Sequence, residues 1–253
     1  MPAVFRNPVA SAMEIATLAR LHPRRFIAGF GHGVPSWMEQ IGALPAKPVR
    51  ALEEVALTVR RLLAGERLTL AGDHVHVSDV QLLQPPAAIP PVVLGVRRPL
   101  GLRAAGRSAD GTILAEPAPP EYIRWARRRI DEGRAEAGRT DPHRITVFVK
   151  CRIDADRSAA RSWVAEILQN DAIDAQLAPL GLGEELDELR ALGDPAALPD
   201  ELVDRLTASG TPDEVAAALG AIEAAAVDSI VLVPIGPNPD EQLRLVADTL
   251  VRA

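Results

Sequence analysis

Short apolar, β-branched runs alternate with amphipathic segments along most of this chain. The runs are FIAGF (26–30), VVLGV (92–96), GTILA (111–115), ITVFVKC (145–151) and SIVLVPI (229–235). Continuous apolar runs of this length suit strands covered on both faces, as in a parallel sheet. Between them the apolar period becomes helical. SAMEIATLARL (11–21), PVRALEEVALTVRRLLAG (48–65) and PEYIRWARRRIDEGRAEAG (120–138) read as helices, and Gly65 is a stop signal. TPDEVAAALGAIEAAAV (211–227) opens with Thr211, Pro212 and Glu214: an N-cap, a proline at the first helical position and a capping-box acid. PDEQLRLVADTLVRA (239–253) closes the chain as a last predicted helix. Repeated strand-then-helix units predict an α/β fold with a parallel sheet and right-handed crossovers.

Two stretches break this rhythm. ERLTLAGDHVHVSDVQLLQPP (66–86) predicts a small β excursion that turns near Ala71-Gly72-Asp73. Residues 171–206 predict short helices broken by glycine and proline, an insertion that either shapes an active-site lid or simply packs. With no internal repeat and no low-complexity linker, residues 1–253 read as one domain.

Composition narrows the function classes. Hydrophobic residues make up 47% and charged residues 25%, an ordinary globular balance, and with aromatics at 3% the core falls to Ala, Val, Leu and Ile. The net charge of −6 argues against a nucleic-acid partner, and the basic run RWARRRI (124–130) is expected to be a solvated helix face. A single cysteine, Cys151, excludes an intramolecular disulfide and a cysteine zinc site; its place in ITVFVKCRI predicts a buried strand residue. No segment approaches the roughly 18 uncharged apolar residues of a membrane helix, and MPAVFRNPVA lacks a signal peptide's apolar core. A soluble, cytoplasmic protein with no membrane partner is the expectation.

The candidate chemistry lies where glycines follow strand ends. Gly31-His32-Gly33 follows FIAGF, and Gly95, Val96, Arg97 and Arg98 close VVL and lead into Pro99. Glycine lets a backbone approach phosphate closely, and arginine adds charge and a bidentate fork. GHGVPS lacks the third glycine of a dinucleotide fingerprint, and the chain has neither a Gly-Lys-Ser/Thr loop nor a GxSxG elbow. Three readings of GHG stay open: a plain strand end, a phosphate cradle, or a histidine placed for chemistry. His74 and His76 fall two apart on a predicted strand and so on one face, but no Asp, Glu or Cys cluster joins them, and no metal site is predicted.

Taken in order, RNPVASAMEIATLARLHPRRFIAGFGHG, VPSWMEQIGA, LEEVALTVRRLLAGERLTLAGDHV, PPVVLGVRRP, LRAAGRSADGTILAE, GRTDPHRITVFV and the closing TPDEV…ADTL segment resemble the bacterial-luciferase-like monooxygenase superfamily. The likeness spans nearly the whole chain and is nearest the branch that uses the deazaflavin coenzyme F-420, including methylenetetrahydromethanopterin reductases. It implies a TIM-like (β/α)8 barrel with F-420, or alternatively FMN, at the carboxyl ends of the strands. It also implies hydride transfer to or from a small-molecule substrate, and a homodimer. Gly31, His32 and Gly33 match the segment lining the coenzyme pocket, with His32 the one weak catalytic candidate. Gly95, Val96, Arg97 and Arg98 match the phosphate loop, and Thr112 and Glu116 flank the next strand end.

The resemblance has departures. Arg98 stands where relatives carry a glycine before the proline, and Val34 stands where some deazaflavin dehydrogenases carry a catalytic glutamate. Relatives also begin with about two further βα units and most of a third strand. PAVF is read as the end of that third strand, so an incomplete barrel of about six strands, lacking the first two βα units, is expected. The alternative function is a non-catalytic barrel fragment acting as a binding or dimer-partner subunit. A metal-dependent barrel hydrolase rests only on fold analogy and the His74/His76 pair.

Overall fold

PAVF forms no strand: Ala3–Phe5 is a 3-10 turn, and Pro2 alone makes an isolated parallel bridge to Gly31. The computed structural model describes residues 1–182 and 185–252, so Gly183 and Glu184 of the predicted insertion, and Ala253, lie outside the described residues. Two compact units emerge, Met1–Ile113 with Arg128–Arg144, and Leu114–Arg127 with Ile145–Ala253.

In the first unit, Asn7 caps α1 (Pro8–Leu21) by accepting the Val9 N–H at 2.9 Å, and Ala12, Ile15, Ala16 and Ala19 form its buried face. β1 (Ala28–Gly31), α2 (Pro35–Gln40) and α3 (Pro48–Leu63) follow, and α3 buries Leu52, Val55, Val59 and Leu62 completely. β2 (Leu68–Ala71) and β3 (His76–Val80) form the expected antiparallel excursion, with Leu70 opposite Val77. One buried carboxylate holds its turn. Glu54 of α3 accepts the N–H groups of Asp73, His74 and Val75 at 3.0, 2.8 and 3.0 Å, and Arg50 pairs with it at 2.9 Å. His74 therefore sits in the turn, and only His76 is in the strand.

β4 (Val92–Gly95), α4 (Pro99–Ser108) and β5 (Gly111–Leu114) come next. β1 runs parallel to β4 from Ala28↔Val92 to Gly31↔Gly95, and β4 runs parallel to β5 from Val93↔Gly111 to Gly95↔Ile113. The latter half of α5 (Pro120–Glu136) belongs to this unit and packs tightly on α4. A Cβ on Gly133 would lie 2.0 Å from the Arg103 carbonyl oxygen, so only glycine fits at that crossing.

The second unit is built on β6 (Arg144–Ile153), where Ile145, Val147, Val149 and Cys151 are buried and the residues between them less so. Cys151 is fully buried as expected, and burial pushes its thiol up to about 11. After α6 (Ser158–Leu168), the predicted insertion forms α7 (Asp174–Leu177), α8 (Glu185–Ala191), α9 (Asp200–Leu206) and short 3-10 turns. They share an apolar core that includes Val164, Leu168, Ile173, Leu177 and Val203. β7 (Ala208–Gly210), α10 (Pro212–Glu223), β8 (Ser229–Pro234) and α11 (Pro239–Arg252) complete the chain. Thr211 and Glu214 make the predicted capping box. β6 pairs in parallel with β8 over Thr146–Cys151 and with β7 over Cys151–Ile153. The architecture is α/β, and apart from the hairpin the strand pairs of each unit are parallel. Among the described residues no helix is long and apolar enough to cross a membrane.

Candidate functional site

Gly31 and Gly95 are register partners at the carboxyl ends of β1 and β4. A Cβ on Gly31 would lie 3.3 Å from the Gly95 carbonyl oxygen, a contact tighter than side chains ordinarily make. The pair leaves a ledge of bare backbone. Strand alternation places Gly29, Gly31, Val93, Gly95 and Ile113 on one face and Phe30, Leu94 and Thr112 on the other. The first face is glycine-rich and partly open; the second is buried.

Beyond the ledge, His32 is half-buried. A Cβ on Gly101 would sit 3.1 Å from Val96 Cβ and 3.9 Å from His32 Nε2, so both residues approach the first turn of α4. Burial pulls the His32 imidazole below its ordinary 6.5, and the Pro48 backbone carbonyl opposes that only partly. The ring is neutral at pH 7, able to donate one hydrogen bond and accept another. Gly33 has φ +75°, and a Cβ there would press on Met38 Sδ at 3.0 Å. Left-handed backbone and crowding both require its glycine.

Arg98 is exposed and is the N-cap of α4, with Pro99 at N1 and no side-chain cap on the helix. Arg97 is half-buried. Two arginines thus precede a helix start whose first N–H groups no side chain caps, an arrangement that attracts anionic oxygens.

Thr112 does not join this group. It lies on the buried face of β5, and its hydroxyl is 2.8 Å from His143 Nε2. Glu116 follows β5 in the second unit, where its carboxylate lies 3.4 Å from Lys150 Nζ. That ammonium in turn lies 5.6 Å from the centroid of the Trp163 ring. Gln176 of α7 donates to the carbonyls of Ala115 at 2.8 Å and Pro117 at 2.7 Å, on either side of Glu116.

Other strand ends of this unit are also tied by charge. Arg152 donates to Asp154 at 2.8 Å and to the Ile235 carbonyl at 3.0 Å. Arg157 pairs with Asp204 and, at 2.8 Å, with Glu214, whose carboxylate occupies the space a Cβ on Gly210 would need. Lys150, Arg152, Arg157 and Trp163 were not singled out from sequence. For the first two a signal existed: they interrupt ITVFVKCRI at alternate positions, which marks the less buried face of the strand.

Fold and site together define a parallel α/β protein with bare glycine backbone and cations at its strand ends. The luciferase-like monooxygenase family model matches residues 1–229, and the chain belongs to that family. It is 27% identical to a 5,10-methylenetetrahydromethanopterin reductase from Archaeoglobus fulgidus, over 97% of this chain and 78% of that protein. It is 28% identical to an F-420-dependent glucose-6-phosphate dehydrogenase from Nakamurella multipartita, over 84% of this chain and 63% of that one. Among solved structures, the coenzyme F-420-dependent tetrahydromethanopterin reductase of Methanopyrus kandleri superimposes with a TM-score of 0.79 at 24% identity. The match covers 100% of this chain and 81% of that one.

Proposed function

We propose that this chain is an oxidoreductase that binds coenzyme F-420, with FMN as the alternative, and transfers hydride between it and a small organic substrate. The reading takes the strands as part of a TIM-like barrel of luciferase type and the protein as a homodimer, both as the family implies. The observation that carries it is the paired glycine ledge, Gly31 beside Gly95, next to the arginine-flanked start of α4.

The residues present fit such a coenzyme. The ledge lacks the side chains that would keep a flat ring off the backbone, and Arg97, Arg98 and the α4 N–H groups suit a phosphate. Bound there, the coenzyme supplies the hydride chemistry. The protein's part is to bind and orient. Gly31 and Gly95 admit the ring, and neutral His32, whose N–H is given to the Pro48 carbonyl, offers an acceptor. Glu116, held by Lys150, is taken as a further coenzyme-binding residue after β5. Val34 cannot move a proton, so the position after GHG takes no part in proton transfer. Thr112 supports the strand from behind through His143.

The test is a fluorescence titration of the purified, folded chain with F-420 and, separately, with FMN. Saturable binding of F-420, tighter than that of FMN, is expected. Binding of neither contradicts the proposal.

A further inference from the structure

We infer that Gln176, in the insertion, is a positioning residue that fixes Glu116 beside Lys150; this rests on the proposed reading of Glu116 as a coenzyme-binding residue. Gln176 is fully buried. Its amide nitrogen makes two hydrogen bonds, one to the carbonyl before Glu116 and one to the carbonyl after it. A carboxamide nitrogen has two donors, so that group is fully committed. The amide oxygen finds no hydrogen-bond partner among the described residues.

The helix carrying this side chain is anchored independently of the clamp. Ile173 and Leu177 belong to the insertion's apolar core, and Arg190 pairs with Asp174 at 2.6 Å while donating to the Leu168 carbonyl at 2.8 Å. Gln176 therefore projects from a fixed support onto a segment without regular structure. That segment follows directly on β5, and its two carbonyls are peptide groups that a buried chain must satisfy. Once clamped on both sides, residue 116 has little backbone freedom, and its carboxylate is held within reach of Lys150. The insertion thus acts on Glu116 through one side chain.

A residue that only stabilises the fold and one that acts through Glu116 are separated by a double-mutant cycle on coenzyme affinity. F-420 binding is measured by fluorescence for the native chain, Gln176→Leu, Glu116→Gln and the double variant, with melting temperatures recorded for all four. Gln176→Leu is expected to raise the Kd about threefold to tenfold, and to add nothing once Glu116 has been replaced. The fall in melting temperature should persist in both backgrounds. Gln176→Ala carries the same expectation if the leucine variant does not fold. An unchanged Kd in Gln176→Leu or in Glu116→Gln overturns the inference, as does an equal effect of Gln176→Leu in both backgrounds. A native chain that binds neither F-420 nor FMN overturns the coenzyme reading, and this inference with it, before any variant is made.

Discussion

The strand ends of the two units are built on opposite principles. In the first unit, Gly31, Gly33 and Gly95 leave backbone bare, and burial holds the imidazole beside them, His32, below its ordinary pKa. In the second unit nearly every strand end is tied by a charged or amide side chain: Glu116 to Lys150, Arg152 to Asp154, and Gln176 to two carbonyls. A surface that must receive a flat ligand does best with nothing in the way. A surface that must hold polar groups in fixed places needs them restrained beforehand, because ordering them during binding costs affinity.

The contrast is broken most severely by filling the ledge. Gly31→Val places a side chain against the Gly95 carbonyl and is expected to weaken F-420 binding by about tenfold or more, with overpacking costing about 1–3 kcal/mol of stability. Titration and melting of the same sample separate the two effects. Native affinity in this variant would mean that the bare backbone is not the binding surface.

The second unit's side of the contrast is broken by Lys150→Met, which leaves the half-buried Glu116 carboxylate without its cation. The side chains of the pair are only 17% and 23% exposed, so solvent screens their loss incompletely. A cost of about 1 kcal/mol, or roughly 2–4 °C in melting temperature, is expected. No change would show that the strand ends of this unit are not held by charge.

The smallest effect sharpens the first unit's side. His32 titrates below 6.5 in the folded chain because burial disfavours its cation, so the unfolded chain takes up the proton first. Its contribution to stability is fully present above about pH 6.5 and declines as the pH falls from there towards the folded value. An NMR titration should place the His32 midpoint under 6.5, and a midpoint at or above it would show an open, solvated ring.

Much of this was legible in the sequence. The five apolar runs became strands; β4, with Val92, Val93 and Leu94 all buried, is covered on both faces, whereas β8 exposes Val231. β7 escaped notice because Ala-Ser-Gly is short and has neither a β-branched nor an aromatic residue. PAVF, taken through the resemblance as the end of a strand, coils into a 3-10 turn after Pro2. The glycine ends were visible because glycine after an apolar run is unusual enough to notice. The face of Thr112 was not, since one step of register turns a side chain to the other side of a sheet. The pairing of Glu116 with Lys150 and the clamp of Gln176 join residues far apart in sequence, and no local pattern announces them.

The central claim, that the paired glycines form a coenzyme surface, is tested most directly by titrating the native chain and Gly31→Val side by side with F-420 under conditions where both are folded. Saturable binding to the native chain with at least tenfold weaker binding to the variant is the predicted result. Equal affinity in both, or no binding to the native chain, would contradict it.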